Sequence, residues 1–444
     1  MSGAERSPAV PAGGTAVVGG GMLGIGAALL LAEAGRRVTL FERADCLGGL
    51  AAAWSLGPVR WDRHYHVILE SDEETLGLLE KLDLAGRVVW SRPGTGCFAG
   101  GRLFPVTSAA DMLRLPALGL VDKFRLGLTV LRAAHGGRRG LDEMTAERWL
   151  VRWSGKRAYT AFWKPLLVAK LGASHGRASA AFIQATIRRL YTARRGASKR
   201  ERFGYVRGGY AVVLDRAERA LRDRGCTLRL GAGVSSIVRE GSRVAVAVGD
   251  RVDLFDDVIL TLPPPIAARL CPQLDHDTRK KLESIEYIGV ICASLLLDRA
   301  LSGYYVTNVL DEGLPFTAVI EMTACVDPGD LRGRHLIYLP RYAPWDDPFW
   351  DLDDSAIRES LLAGLERVHP GLGGARIEAF RVSRQRFVLP LPAPGLARRV
   401  PGIEPAIPGI WMLSSAQIRD GTPNVNDTLR LARQGVAALL GAVS

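Results

Sequence analysis

Thr15-Ala16-Val17-Val18-Gly19-Gly20-Gly21-Met22-Leu23-Gly24 decides how this 444-residue chain begins to fold. Thr15–Val18 is a short apolar run suited to a buried strand, and the six residues after it fit G-x-G-x-x-G. Ile25 to Ala34 is a helix-forming stretch stopped by Gly35, and Arg37–Phe41 reads as a second strand ending at Glu42. This is a whole β-α-β unit. Gly19 permits the tight turn out of the strand, Gly21 lets backbone approach a pyrophosphate, and Gly24 lets the helix pack closely on the strand. The helix N-terminus offers free N–H groups and the positive end of the dipole to the phosphates. Glu42 stands where an acid accepts hydrogen bonds from ribose hydroxyls and disfavours a 2′-phosphate, so NADP is a poor ligand. The unit predicts an α/β, Rossmann-like dinucleotide site and leaves NAD and FAD both open.

The next residues separate those two. Arg43-Ala44-Asp45-Cys46-Leu47-Gly48-Gly49 continues from Glu42. It resembles the flavoprotein superfamily of amine oxidases, protoporphyrinogen oxidases and phytoene desaturases, in which an acid and a Gly-Gly pair form a second phosphate-approach turn. Gly48 and Gly49 match the pair, and Arg43 matches a position beside the adenosine.

Two later segments extend the resemblance. Tyr205-Val206-Arg207-Gly208-Gly209-Tyr210 opens a helix, Val212 to Leu221, and strand-like Thr227–Leu230 leads to Val234, matching the valine whose backbone meets the adenine. Asp256 to Pro264 resembles the strand and proline turn that follow. Gly409–Leu413 reads as a last strand, then a turn Ser414–Thr428 and a helix Leu429 to Leu440. In the family this piece covers the pyrophosphate and flavin; the polar residues available here include Gln417, Arg419 and Asp420, and Ser415, Asn424 and Asn426 are the cofactor-binding candidates the resemblance implies. The sequence departs from the family's glycine-rich turn by having Gly421-Thr422-Pro423-Asn424-Val425-Asn426. With no Cys or His in the stretch, the resemblance implies non-covalent FAD. It also implies an FAD-binding domain from 13–70, 203–265 and 400–444, and a discontinuous α+β substrate domain from 71–202 and 266–399.

Composition bounds the rest. Six scattered cysteines, none in C-x-x-C, argue against a disulfide framework or a cysteine zinc site and fit a cytoplasmic protein. The net charge of +12 favours anions, from an anionic substrate to lipid headgroups. No zinc-finger spacing or nucleic-acid module is present, so no nucleic-acid partner is expected. The uncharged stretch between Arg6 and Glu33 is glycine-rich and runs into a charged strand, so it reads as neither signal peptide nor membrane span.

Trp61-Asp62-Arg63-His64-Tyr65-His66-Val67-Ile68-Leu69 reads as an extended strand with both histidines on one face. His64 and His66 are proton carriers near a flavin in one reading and buried holders of backbone groups in the other. No acid or Cys cluster gives them a metal-ligand spacing, so no metal is expected. The same stretch, with Gly101-Arg102-Leu103-Phe104-Pro105-Val106, resembles UDP-galactopyranose mutases.

Residues 112–134 alternate apolar patches with Lys123, Arg125 and Arg132, as a helix packed on the substrate domain does, or one lying at a membrane surface. Trp149, Trp153, Phe162 and Trp163 are expected in a core or a pocket wall. The run Arg188 to Arg202 is expected as a solvated face, with an anion clamp as the alternative. Gly289–Leu297 and His335–Leu339 are strand-like.

The function implied is an FAD-dependent oxidoreductase moving a hydride from a small-molecule substrate to flavin N5. His64, His66, Lys170 and Arg419 are its candidate substrate-side groups. A non-redox flavin isomerase acting on a sugar nucleotide or other phosphorylated substrate, and an FAD-binding protein without activity, are the alternatives.

Overall fold

The computed structural model describes residues 13–106, 111, 118–193, 202–418 and 423–443. A five-stranded parallel sheet runs in the order Thr227–Arg229, Val38–Phe41, Thr15–Val18, Asp257–Leu260, Ile410–Met412. Val17 lies opposite both Leu40 and Ile259, and these three join the core beneath the helices Met22–Glu33, Gly209–Asp223 and Val425–Val443. Ala16, Val18, Phe41 and Leu260 point the other way, against the meander Ser236–Phe255 and the helix Pro264–Leu270. Burial on both faces explains why the central strands Thr15–Val18 and Asp257–Leu260 carry apolar runs.

The first helix starts at Met22, three residues ahead of the expected Ile25, with Gly21 as its N-cap. Gly24 therefore lies inside the helix, where a Cβ would stand 1.8 Å from the Gly19 carbonyl oxygen. The last helix starts at Val425, not Leu429, because Asn424 Oδ1 accepts from the Asp427 N–H at 3.0 Å and caps it.

A second sheet has seven strands in the order Ile377–Pro390, Tyr287–Leu297, His335–Ala343, Ala318–Glu321, Tyr304–Val309, Gly94–Ala99, Arg102–Pro105. The hairpin Gly94–Pro105 joins it by a parallel pairing with Tyr304–Val309. One face packs on the helix Asp354–Val368, and the other on Leu56, Val59, Trp61 and Tyr205, which ties this sheet to the first domain's edge. A helical layer, Leu120–His135 with Ala146–Ala158, Lys164–Leu171 and Ala180–Ala193, encloses a core with Trp149 and Trp163 buried in it.

Trp61–Leu69 is not one strand. Pairing ends at Asp62 and resumes at Ile68–Leu69, because the Asp62 carboxylate is drawn inward to the Tyr210 N–H at 2.7 Å. The described part of the basic run is engaged in structural contacts: Arg188 with the Gly136 carbonyl, Arg189 with Asp72, Arg202 with Glu70. Arg194, Arg195, Lys199 and Arg200 lie outside the described residues. Among the described residues no helix is long and apolar enough to cross a membrane.

Candidate functional site

The two glycine turns lie against each other. The Gly48 N–H donates to the Gly20 carbonyl at 2.8 Å, and Gly21 and Gly48 form an isolated parallel bridge. Gly48 and Gly49 both have positive φ, 121° and 56°, which suits glycine. A Cβ built on Gly21 meets nothing nearer than 4.0 Å. Gly21 is half-buried and Gly49 exposed, so backbone without side chains faces outward at the N-terminus of Met22–Glu33. That bare cradle fits a pyrophosphate.

Glu42 sits beside it in two roles. Its Oε2 accepts from the Gly20 N–H at 2.6 Å and its Oε1 from the Ala44 N–H at 2.8 Å, so the acid also braces the turn. Each carboxylate oxygen keeps a second lone pair for a ribose hydroxyl. The chain from Arg229 to Ala232 is bonded alongside, Gly231 N–H to the Ala44 carbonyl and Ala232 N–H to the Glu42 carbonyl. This places half-buried Val234 and exposed Arg43 along the same edge.

At the C-terminal piece, Ser415 Oγ lies 3.3 Å from Tyr287 Oη on the long buried strand of the second sheet. Asn424 and Asn426 are structural posts. Asn424 caps the last helix, and buried Asn426 accepts from the Glu74 and Thr75 N–H groups at 2.9 and 3.3 Å, pinning the helix Glu73–Lys81. The N-x-x-D spacing of Asn424 and Asp427 is a signal that could have revealed the cap. Arg419 lies outside the described residues.

His64 and His66 do not form a matched pair. His64 Nδ1 donates to the Leu50 carbonyl at 3.0 Å, one residue beyond Gly49. Its Nε2 is buried with no partner among the described residues, an orphaned acceptor that fits a donor from a bound group. His66 Nδ1 donates to the His64 carbonyl at 3.0 Å, and its ring lies 5.0 Å from that of Tyr210. Burial pushes His66 down to about 4, with His64 adding to the effect, and burial lowers His64 too. Both rings are therefore neutral at neutral pH. Asp62, 3.9 Å from His66, is instead pushed up to about 7, chiefly by burial and against the N–H groups of Tyr210 and Ala211.

Lys170 belongs to a different cluster, one that sequence reading missed. Its Nζ donates to Tyr342 Oη at 2.7 Å, and Tyr342 Oη lies 3.0 Å from Tyr65 Oη. Burial, and next Tyr342, pushes the Tyr65 phenol well above its ordinary range, so it stays protonated. A cleft of about 610 Å³ opens beside Tyr287, walled by Ile285, Ile288, Trp345, Phe387 and Leu391. Arg177, paired with Glu286 at 2.8 Å, and Arg269 also line it.

A glycine cradle on a parallel sheet, in a chain that also carries a second, mixed sheet, has the make-up of a dinucleotide-binding flavoprotein. The chain belongs to the flavin containing amine oxidoreductase family, whose family model matches residues 24–408, and its cofactor is FAD. It is similar to a carotenoid phi-ring synthase of Streptomyces griseus, 36% identical over 126 residues, and to a 15-cis-phytoene desaturase of Synechococcus elongatus, 28% identical over 156. Those stretches cover 25% and 32% of this chain and only 24% and 33% of the two relatives. The fold also matches that of a reduced UDP-galactopyranose mutase, with a TM-score of 0.77 at 16% identity over 97% of this chain and 96% of that one.

Proposed function

We propose that this chain is an FAD-dependent oxidoreductase, acting as an oxidase, dehydrogenase or desaturase on a small and largely apolar substrate. The observation that carries the reading is the bare apposition of Gly21 and Gly49 beside Glu42; an aromatic cleft opens beside Tyr287, whose hydroxyl meets Ser415. Bound FAD supplies the hydride acceptor, flavin N5.

The chain's own residues bind, orient and exclude water. Gly21, Gly48, Gly49 and the first helix's N-terminus hold the pyrophosphate, Glu42 the ribose, and Arg43 and Val234 flank the adenine. His64 Nε2 accepts a hydrogen bond from the cofactor. The walls Tyr287, Trp345 and Phe387 supply apolar contact in a volume of ordinary ligand size. Lys170, through Tyr342, fixes the Tyr65 hydroxyl as a donor at the second sheet. The Synechococcus elongatus relative is a 15-cis-phytoene desaturase, which agrees with withdrawal of hydrogen from the substrate.

One observation favours a second reading. Arg177 and Arg269 line the same cleft, and a phosphate could displace Glu286 from Arg177. A non-redox isomerase acting on a sugar nucleotide or other phosphorylated substrate would use that arrangement. Anaerobic mixing of FAD-loaded protein with candidate substrates separates the two. Bleaching of the flavin with stoichiometric product supports the oxidoreductase. Turnover seen solely after prereduction, with no acceptor consumed, supports the isomerase.

A further inference from the structure

The helix Leu120–His135 is apolar on two opposite sides. Leu126, Thr129 and Ala133 are buried against the helical core. On the far side, Leu120, Val121, Phe124, Leu128 and Leu131 are 82, 72, 68, 46 and 47% exposed. At 3.6 residues per turn these five fall within an arc of about 100°, one continuous stripe. Scattered exposed leucines need no explanation, but five large apolar side chains in one row do.

Charge says what covers the stripe. On the same helical projection Arg125 and Arg132 border it on one side and Lys123 on the other. Arg125 Nε donates to the Trp153 carbonyl, and the guanidinium groups of Arg132 and Arg152 lie 5.3 and 6.0 Å from the Trp153 ring. Trp153 and these cations form a shoulder on the neighbouring helix Ala146–Ala158. Across the two helices seven Lys and Arg stand against two acids, Asp122 and Glu147, and Asp122 is paired with Arg157. A stripe of Leu, Val and Phe between cationic borders, with a Trp at the margin, has the make-up of a helix lying in a bilayer interface.

We propose that this face docks the protein on an anionic lipid surface, with the stripe in the acyl boundary and Lys123, Arg125, Arg132 and Arg152 at the headgroups.

The test is co-sedimentation of the purified full chain with phosphatidylcholine vesicles, with and without phosphatidylglycerol. Wild type is expected to pellet with the anionic vesicles and to be released by salt. The Phe124→Glu, Leu128→Glu double variant should bind at least ~10-fold more weakly, with its melting temperature and flavin content unchanged. Lys123→Glu with Arg132→Glu should abolish the preference for phosphatidylglycerol. Wild type left in the supernatant with both vesicle types overturns the proposal, as does double-variant binding equal to wild type. A dimer in solution that the double variant dissociates, without vesicle binding, also overturns it and gives the face to a second copy.

Discussion

Gly21 and Gly49 are unequal partners across the cradle. A Cβ on Gly49 would stand 3.1 Å from the Gly21 Cα at a backbone φ of 56°, whereas a Cβ on Gly21 meets nothing nearer than 4.0 Å. Gly49 is therefore required by the protein's own turn, and Gly21 is left bare toward the outside. Gly21 also has an ordinary φ of −73°. Gly21→Val is expected to melt within about 2 °C of the wild-type apoprotein and to lose FAD affinity by at least ~10-fold. Gly49→Ala is expected to lower the apoprotein's stability itself. Thermal melts paired with flavin content check both.

Glu42 gives a second separation of roles. Removing its carboxylate leaves the buried Gly20 N–H unsatisfied, a loss of about 1–3 kcal/mol, besides the lost ribose contact. Glu42→Ala is expected to lower both apoprotein stability and FAD affinity. Glu42→Gln keeps one acceptor and is expected to fall between. Chemical denaturation with an FAD titration reads the two effects; a loss of FAD affinity with unchanged apoprotein stability would contradict the bracing role.

Asp62 predicts a pH dependence with a definite sign. Its folded value, about 7, lies above the ordinary 3.8, so its contribution is present below 3.8 and is lost as pH rises toward 7. His66 runs the other way: its depressed value, about 4 against 6.5, gives a contribution present above 6.5 and lost as pH falls toward 4. That histidine is common to both proteins, so it cancels in a comparison. Asp62→Asn keeps an oxygen for the Tyr210 N–H without the buried charge. It is expected to stabilise by roughly 2–4 kcal/mol at pH 8 and by much less at pH 4. Melting temperatures of the two proteins across that range check it.

Tyr342 joins Lys170 to Tyr65, so Tyr342→Phe and Lys170→Met should have similar consequences. Each is expected to slow flavin reduction by the substrate by roughly 10–100-fold while FAD content stays at wild-type level. Rapid-mixing kinetics give the rate and the visible spectrum gives the content. A loss of FAD in either variant would move the cluster from the substrate side to the cofactor.

What the sequence made legible was local. The first strand, the glycine turn, the helix and Glu42 lie within 28 consecutive positions from Thr15, and the spacing alone dictates their arrangement. The second role of Glu42 was hidden because a backbone donor leaves no mark on a sequence. Lys170 and Tyr65 meet Tyr342 across 172 and 277 residues, which no pattern announces. The parallel pairing that carries Gly94–Ala99 to Tyr304–Val309 is equally remote. Trp61–Leu69 alternates as an extended strand does, yet the inward pull on Asp62 ends the pairing there. Asn424 and Asn426 are polar residues in the stretch expected over the cofactor, and their side-chain oxygens accept from backbone N–H groups at helix starts.

The visible absorption spectrum of the purified protein, followed by chromatography of the heat-released chromophore, tests the cradle most directly. Bands near roughly 375 and 450 nm and released FAD are expected, both lost in Gly21→Val. A colourless protein that takes up no FAD on reconstitution would contradict it.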